Sequence, residues 1–248
     1  MTRPCPACIA LIGLPAAFAL GCIPSARLVA RAVGGADILD SGDGKPGAAN
    51  VARTLGWKPG AATLGIDLVK GSAAVGTARA LGAGPHVAGA LALTPVAAHV
   101  AVVRGRGAAA ALGAALALDP LATAAVLPAV VGGALTKRAA VGAMVAALGL
   151  PVASLALGHR CRAVWATGLP AIMAYARLRG SDGAAGARDP RVAWERFWFD
   201  REPVTPEQPA VAPQEAAVAN GAATPEEPAI APDGPADAPG GATAGLGS

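Results

Sequence analysis

Residues 41 to 53, SGDGKPGAANVAR, gather side chains and backbone suited to an anion. Gly42, Gly44 and Gly47 allow positive φ and close backbone approach. The loop leads into a helical stretch, so its amides and the positive end of the helix could face a phosphate. Lys45 and Arg53 add charge, and an arginine can grip phosphate with two hydrogen bonds. Asp43 and Asn50 complete the polar set. No G-K-[ST] follows at the Walker A spacing. A plain connection between helices is the competing reading.

Two further groups stand near it in the chain. Asp67 and Lys70 lie three apart inside an apolar stretch and would share one helix face. At membrane depth each charge costs about 2.5 to 3.5 kcal/mol unless paired or hydrated. The pair is therefore either part of a site or a structural ion pair locking helices together. His99 closes the next apolar stretch and is followed by Arg104, Gly105, Arg106 and Gly107. The two arginines suit a substrate phosphate or lipid headgroups, or they follow the excess of positive charge on the inner side of a membrane. Cys5-Pro-Ala-Cys8 has the C-x-x-C spacing without a thioredoxin-like context or a second pair, and His86, His99 and His159 lack metal-ligand spacing. No metal is expected.

The elements that must carry these groups are apolar. The 248 residues are 54% hydrophobic and only 15% charged, too apolar for an ordinary soluble domain. Charge divides the chain in two. Up to Asp182 there are 16 Lys and Arg against 6 Asp; beyond it, 4 Arg stand against 10 Asp and Glu. Residues 1–182 thus form a basic apolar body and residues 183–248 an acidic tail. Apolar stretches at about 7–24, 59–78, 86–103, 107–118, 120–136, 139–158 and 163–176 predict an all-α, polytopic membrane helix bundle of about seven spans. A polar residue before proline favours a break at Asp119-Pro120. With the N-terminus outside, Arg27, Arg31, Lys45, Arg53, Lys58, Arg104, Arg106, Lys137, Arg138, Arg177 and Arg179 fall on the inner side. The tail, rich in Pro, Ala, Glu, Gly and Thr, cannot bury enough apolar surface to order itself. Its exception is residues 192–199, VAWERFWF, beside Arg191 and Arg201. That stretch suits either the membrane–water interface or a short helix packed on the body.

The order of these motifs resembles the bacterial acyl-phosphate:glycerol-3-phosphate acyltransferases, the PlsY family. The run GGADILDSGDGKPGAANVARTLGWKPG is similar to the family loop, approximately G-S-G-N-x-G-A-T-N-x-x-R-T-x-G. Asp67 to Gly71 is similar to its D-x-x-K-G, and His99 with Gly105-Arg106-Gly107 to its histidine and G-G-K-G. Ala176 to Asp182 resembles the end of its C-terminal motif. The resemblance covers roughly residues 8–182. It implies a cytoplasmic-membrane enzyme, its motifs on the cytoplasmic face, that moves an acyl group from acyl phosphate to sn-glycerol 3-phosphate. The product is lysophosphatidate, a phospholipid precursor, and no metal, cofactor or nucleic-acid partner is implied. Gly42, Asp43, Gly44, Lys45, Gly47, Asn50, Arg53, Lys70, His99, Arg106 and Gly107 become the expected substrate-binding set, with Asp67 shaping the site. No general base is identified.

Some positions depart from the pattern. Asp43 stands for the family serine, Lys45 for an asparagine, Ala49 for a threonine and Arg106 for a lysine, while Pro170 and Met173 fall where a histidine and an asparagine belong. These departures motivate a second reading, a catalytically impaired relative that binds anionic lipid or a membrane partner. A transporter, suggested by the charged pair within a span, would predict internal repeats, and none stands out.

Overall fold

The computed structural model describes residues 5–35, 37–180 and 188–201. The last two residues of the C-terminal motif and the tail beyond Arg201 lie outside them. The described residues form eleven α-helices in chain order: α1 (Pro6–Gly21), α2 (Ser25–Ala32), α3 (Ala48–Leu55), α4 (Trp57–Ala80), α5 (Pro85–Ala98), α6 (Ala108–Leu118), α7 (Pro120–Leu135), α8 (Ala139–Ala156), α9 (Arg160–Ala166), α10 (Gly168–Arg179) and α11 (Pro190–Phe199). A π-helical turn, His99–Val103, extends α5.

The expected all-α bundle is present, and the apolar stretches coincide with α1, α4, α5 with its π turn, α6, α7, α8 and α9–α10. Its outward face is apolar. Leu11, Ile12, Leu135, Val152, Leu155 and Val164 are all exposed, a surface that lipid solvates and water does not. Two helical segments, Pro85–Val103 and Ala139–Ala156, are long and apolar enough by themselves to cross a membrane; α1 and α2, bent by 47°, form a third candidate if taken as one broken span. The break between α6 and α7 falls at Asp119, whose carboxylate accepts from Ala122 N at 3.4 Å and caps α7, with Pro120 in the first helical turn.

Small residues set the helix spacing. α4 packs most extensively on α6, α7 on α8 and α1 on α5. At the α4–α6 crossing Gly71 lies against the Ala110 carbonyl and Gly113 against the Leu68 carbonyl, so the two backbones nearly touch. A core of Val96, Ala114, Leu118, Met144, Leu169 and Met173 fills the space between α5, α6, α8 and α10.

One buried ion pair, Asp67 with Lys70, sits against the break between α1 and α2. At the break the Ile23 carbonyl accepts from Ser25 N at 3.0 Å and has a lone pair left for a second donor. Lys70 Nζ supplies it at 2.6 Å, and also donates to Ser25 Oγ at 3.0 Å and Asp67 Oδ1 at 2.8 Å. Ser25 Oγ in turn donates to Asp67 Oδ1 at 2.5 Å. All three donors of the ammonium are used, which is what a charge buried among helices requires.

Outside the stretch that follows the sequence motifs, α11 packs on the body. Asp189 caps it through Arg191 N at 2.8 Å, and Phe197 and Trp198 lie against the core. Of the two readings of the aromatic segment, the packed helix is the observed one.

Candidate functional site

The loop before α3 is organised by Asn50. Its Nδ2 donates to the carbonyls of Ile38 at 3.1 Å, Ser41 at 2.9 Å and Lys45 at 3.1 Å, and its Oδ1 accepts from Asp43 N at 3.1 Å. The chain can wrap one side chain this tightly because Gly42 and Gly44 take φ of +64° and +65°. A Cβ on Gly42 would collide with the Asn50 amide. The loop's outer end is held by Asp37, whose carboxylate accepts from Leu39 N at 3.1 Å and pairs with Arg27 at 2.6 Å. Those two contacts, the backbone amide first, hold the Asp37 carboxyl below the usual carboxylate range.

α3 then starts at Ala48 with Gly47 as its N-cap and no capping side chain. Its first-turn amides therefore remain an anion-binding end. Gly47, Ala48 and Ala49 line a cavity of about 790 Å³. The same cavity is reached by Asp43, Lys45, Asn50, Arg53, Asp67, His99, Arg106 and Gly107. Nine of the twelve expected site or site-shaping residues thus share one space. Gly42 and Gly44 shape the loop behind it, and Lys70 lies in the buried triad with Ser25 and Asp67.

His99 is buried, and its Nδ1 has no hydrogen-bond partner among the described residues. Gly105 passes so close to His99 Nε2 that a Cβ there would clash. The π turn and the left-handed φ of Arg104 (+61°) and Gly107 (+73°) fold the Arg104–Gly107 segment back over this ring. π-helical turns of this kind recur at functional sites.

The cations are countered by carboxylates. Arg53 pairs with Asp43, and Arg106 Nε lies 2.7 Å from Asp200 Oδ1. Lys45 Nζ is 3.3 Å from the same oxygen and donates to the Asp200 carbonyl. Beyond these charges the cavity runs along an apolar wall that includes Leu112, Val126, Val130, Ala147, Leu150 and Leu169. One end is thus basic and rich in amides, and the rest is hydrocarbon-like.

Sequence reasoning missed Arg177 and Asp200, both of which line the cavity. Arg177 is buried, donating to the Phe197 carbonyl at 2.7 Å and the Ala140 carbonyl at 2.9 Å. Its place among the inner basic residues was a faint signal. Asp200 had none, because it lies in the stretch read as tail.

The family model for glycerol-3-phosphate acyltransferase matches residues 11–181. The chain belongs to the glycerol-3-phosphate acyltransferase family. Glycerol-3-phosphate acyltransferases of Rubrobacter xylanophilus (46% identical over 82 residues, 33% of this chain and 41% of the relative) and Moorella thermoacetica (42% over 89 residues, 36% and 45%) are similar to it. One of Acaryochloris marina is 48% identical over 63 residues, 25% of this chain and 28% of the relative. The matched stretch spans less than half the length of these curated relatives. Two crystal structures of PlsY (YgiH), an integral membrane glycerol 3-phosphate acyltransferase, are similar in fold. Its glycerol 3-phosphate form superposes with a TM-score of 0.62 at 27% identity, covering 68% of this chain and 88% of that one. Its lysophosphatidic acid form gives 0.61 and 27%, covering 68% and 87%. In this acyltransferase family member, α11 and Asp200 fall beyond the matched residues.

Proposed function

We propose that this membrane protein transfers an acyl group from acyl phosphate to sn-glycerol 3-phosphate, giving lysophosphatidate and inorganic phosphate. The observation that carries the reading is one cavity joining an amide-lined, cationic mouth to an apolar wall. Two phosphates need the first, and an acyl chain entering from lipid needs the second. The α3 amides, Lys45, Arg53 and Arg106 would hold phosphate oxygens. The unpartnered Nδ1 of His99 is placed to meet a substrate hydroxyl or phosphate oxygen. In the reaction the glycerol hydroxyl forms a C–O bond to the acyl carbonyl carbon while the bond to phosphate breaks. The phosphate departs with the electron pair, and the hydroxyl proton is lost to a base. Acyl phosphate is already activated, so positioning and charge stabilisation do most of the work. The charge pattern supports an inner-membrane protein of about seven spans with this mouth on the cytoplasmic face.

The test is phosphate release by the purified full chain in lipid, with acyl phosphate present. Release should depend on added glycerol 3-phosphate and fall to background in Arg53→Ala. Release no greater than that of Arg53→Ala would count against the enzyme.

A second reading, an impaired relative that binds anionic lipid or a membrane partner, is favoured by the carboxylates of Asp43 and Asp200 against the cations. Complementation of a strain lacking its own acyltransferase separates the two. Growth supports the enzyme, and failure despite good membrane expression supports the relative.

A further inference from the structure

Asp200 sits where a bound anion belongs. Its Oδ1 lies 2.7 Å from Arg106 Nε and 3.3 Å from Lys45 Nζ, two of the three side chains assigned above to phosphate. The contact is largely withdrawn from solvent, with the three side chains 18%, 21% and 19% exposed for Arg106, Lys45 and Asp200. Lys45 reaches 155 residues along the chain to donate to the Asp200 carbonyl as well.

The delivery of this carboxylate is built into the fold. Arg196 is buried at the end of α10, where its Nη1 donates to the Leu178 carbonyl at 3.4 Å and Gly180 leaves room for its guanidinium. Arg177 donates to the Phe197 carbonyl at 2.7 Å, and Phe197 and Trp198 pack on the core. Asp200 then takes a left-handed φ of +54°, a conformation uncommon for a residue with a side chain, as it leaves α11 beside the cations. All of these residues except the two cations and Arg177 or its neighbours on α10 lie after the matched residues 11–181.

We infer that Asp200 is an internal ligand of the phosphate seat, a tethered carboxylate that glycerol 3-phosphate must displace. The inference rests on the reading of this cavity as a glycerol 3-phosphate site. It makes Asp200 a specificity-determining residue. A phosphate monoester brings nearly two charges and three acceptor oxygens against one charge and two oxygens from the carboxylate. A dianionic headgroup therefore competes for the seat, whereas a monoanion of similar size competes poorly. Because ligand binds the unplugged fraction, the observed dissociation constant rises as that fraction falls.

The experiment measures binding of inorganic phosphate and of glycerol 3-phosphate to the full chain in lipid nanodiscs, for the wild type, Asp200→Asn and Asp200→Glu. Asp200→Asn should bind both about tenfold more tightly, the change expected if the seat is open about a tenth of the time. Asp200→Glu, which keeps the carboxylate, should stay near the wild type. The KM for glycerol 3-phosphate should fall with Asp200→Asn. A residue that merely supports the site would raise it, and unchanged or weaker binding by a folded Asp200→Asn protein overturns the inference. Should that variant not fold, hydrogen exchange on the wild type decides. Saturating glycerol 3-phosphate should speed exchange in residues 192–201 while slowing it in 42–53, and slowed or unchanged exchange at 192–201 overturns the displacement. The two readings fail separately. Tighter phosphate binding by Asp200→Asn without acyl transfer in any variant sinks the enzyme and keeps the internal ligand. Normal turnover with unaltered binding does the reverse.

Discussion

Asn50 does more for the loop than any of its cations. One amide group donates to three carbonyls, two of which also accept a backbone N–H within the turns, and accepts from the Asp43 N–H. Asn50→Ala would take the partner from the Ile38 carbonyl and the Asp43 N–H, at about 1 to 3 kcal/mol each, so the loop would rearrange rather than remain in place. The expected outcome is a folded bundle with a clearly lower melting temperature and acyl transfer reduced at least a hundredfold, checked by thermal unfolding in detergent and phosphate release. Near-normal activity would mean the loop's shape does not depend on this side chain. Asn50 entered the expected site because the loop that holds it resembles the family pattern. The sequence could not show that the amide faces inward, since that depends on which way Gly42 and Gly44 turn the chain. Lys70 makes the same point. Its spacing from Asp67 announced an ion pair, but the Ile23 carbonyl that consumes another of its donors lies 47 residues away.

At the scale of helices, the apolar stretches were readable because a membrane allows few alternatives to a helix, and Asp119-Pro120 marked a real break. The crossings were not readable. Ala and Gly occur throughout α4, and periodicity does not say which of them meets another backbone. Gly71 meets the Ala110 carbonyl, whereas Gly76 faces open space. Gly71→Val should force α4 from α6 and destabilise the protein by about 1 to 3 kcal/mol. Gly76→Ala should be neutral or slightly stabilising, since alanine is the better helix former by about 1 kcal/mol. Melting temperatures of the two variants in the same detergent check this contrast, and equal losses would show that the crossing is looser than the structure has it. For α11 the aromatic cluster at 192–199 allowed a helix packed on the body, but its composition did not say which side chains would reach it.

For the whole molecule, the decisive property is that charge and hydrocarbon meet in one cavity. In the proposed reaction the cationic mouth would fix a headgroup, so the length of the apolar wall would limit how much acyl chain can lie beside it. Ala147 of α8 is on that wall. Ala147→Phe would fill space that a long chain uses, while leaving the loop at residues 42–53 untouched. Each methylene displaced from an apolar contact costs about 0.8 kcal/mol, so losing three should weaken a long donor by about 2.4 kcal/mol, roughly sixtyfold in kcat/KM. A donor short enough to end before Ala147 should be nearly unaffected. Phosphate release measured with a C16 and a C8 acyl phosphate gives the ratio directly, with the KM for glycerol 3-phosphate as the control for the mouth. A parallel fall for both donors would place the acyl chain elsewhere and separate the apolar wall from the reaction.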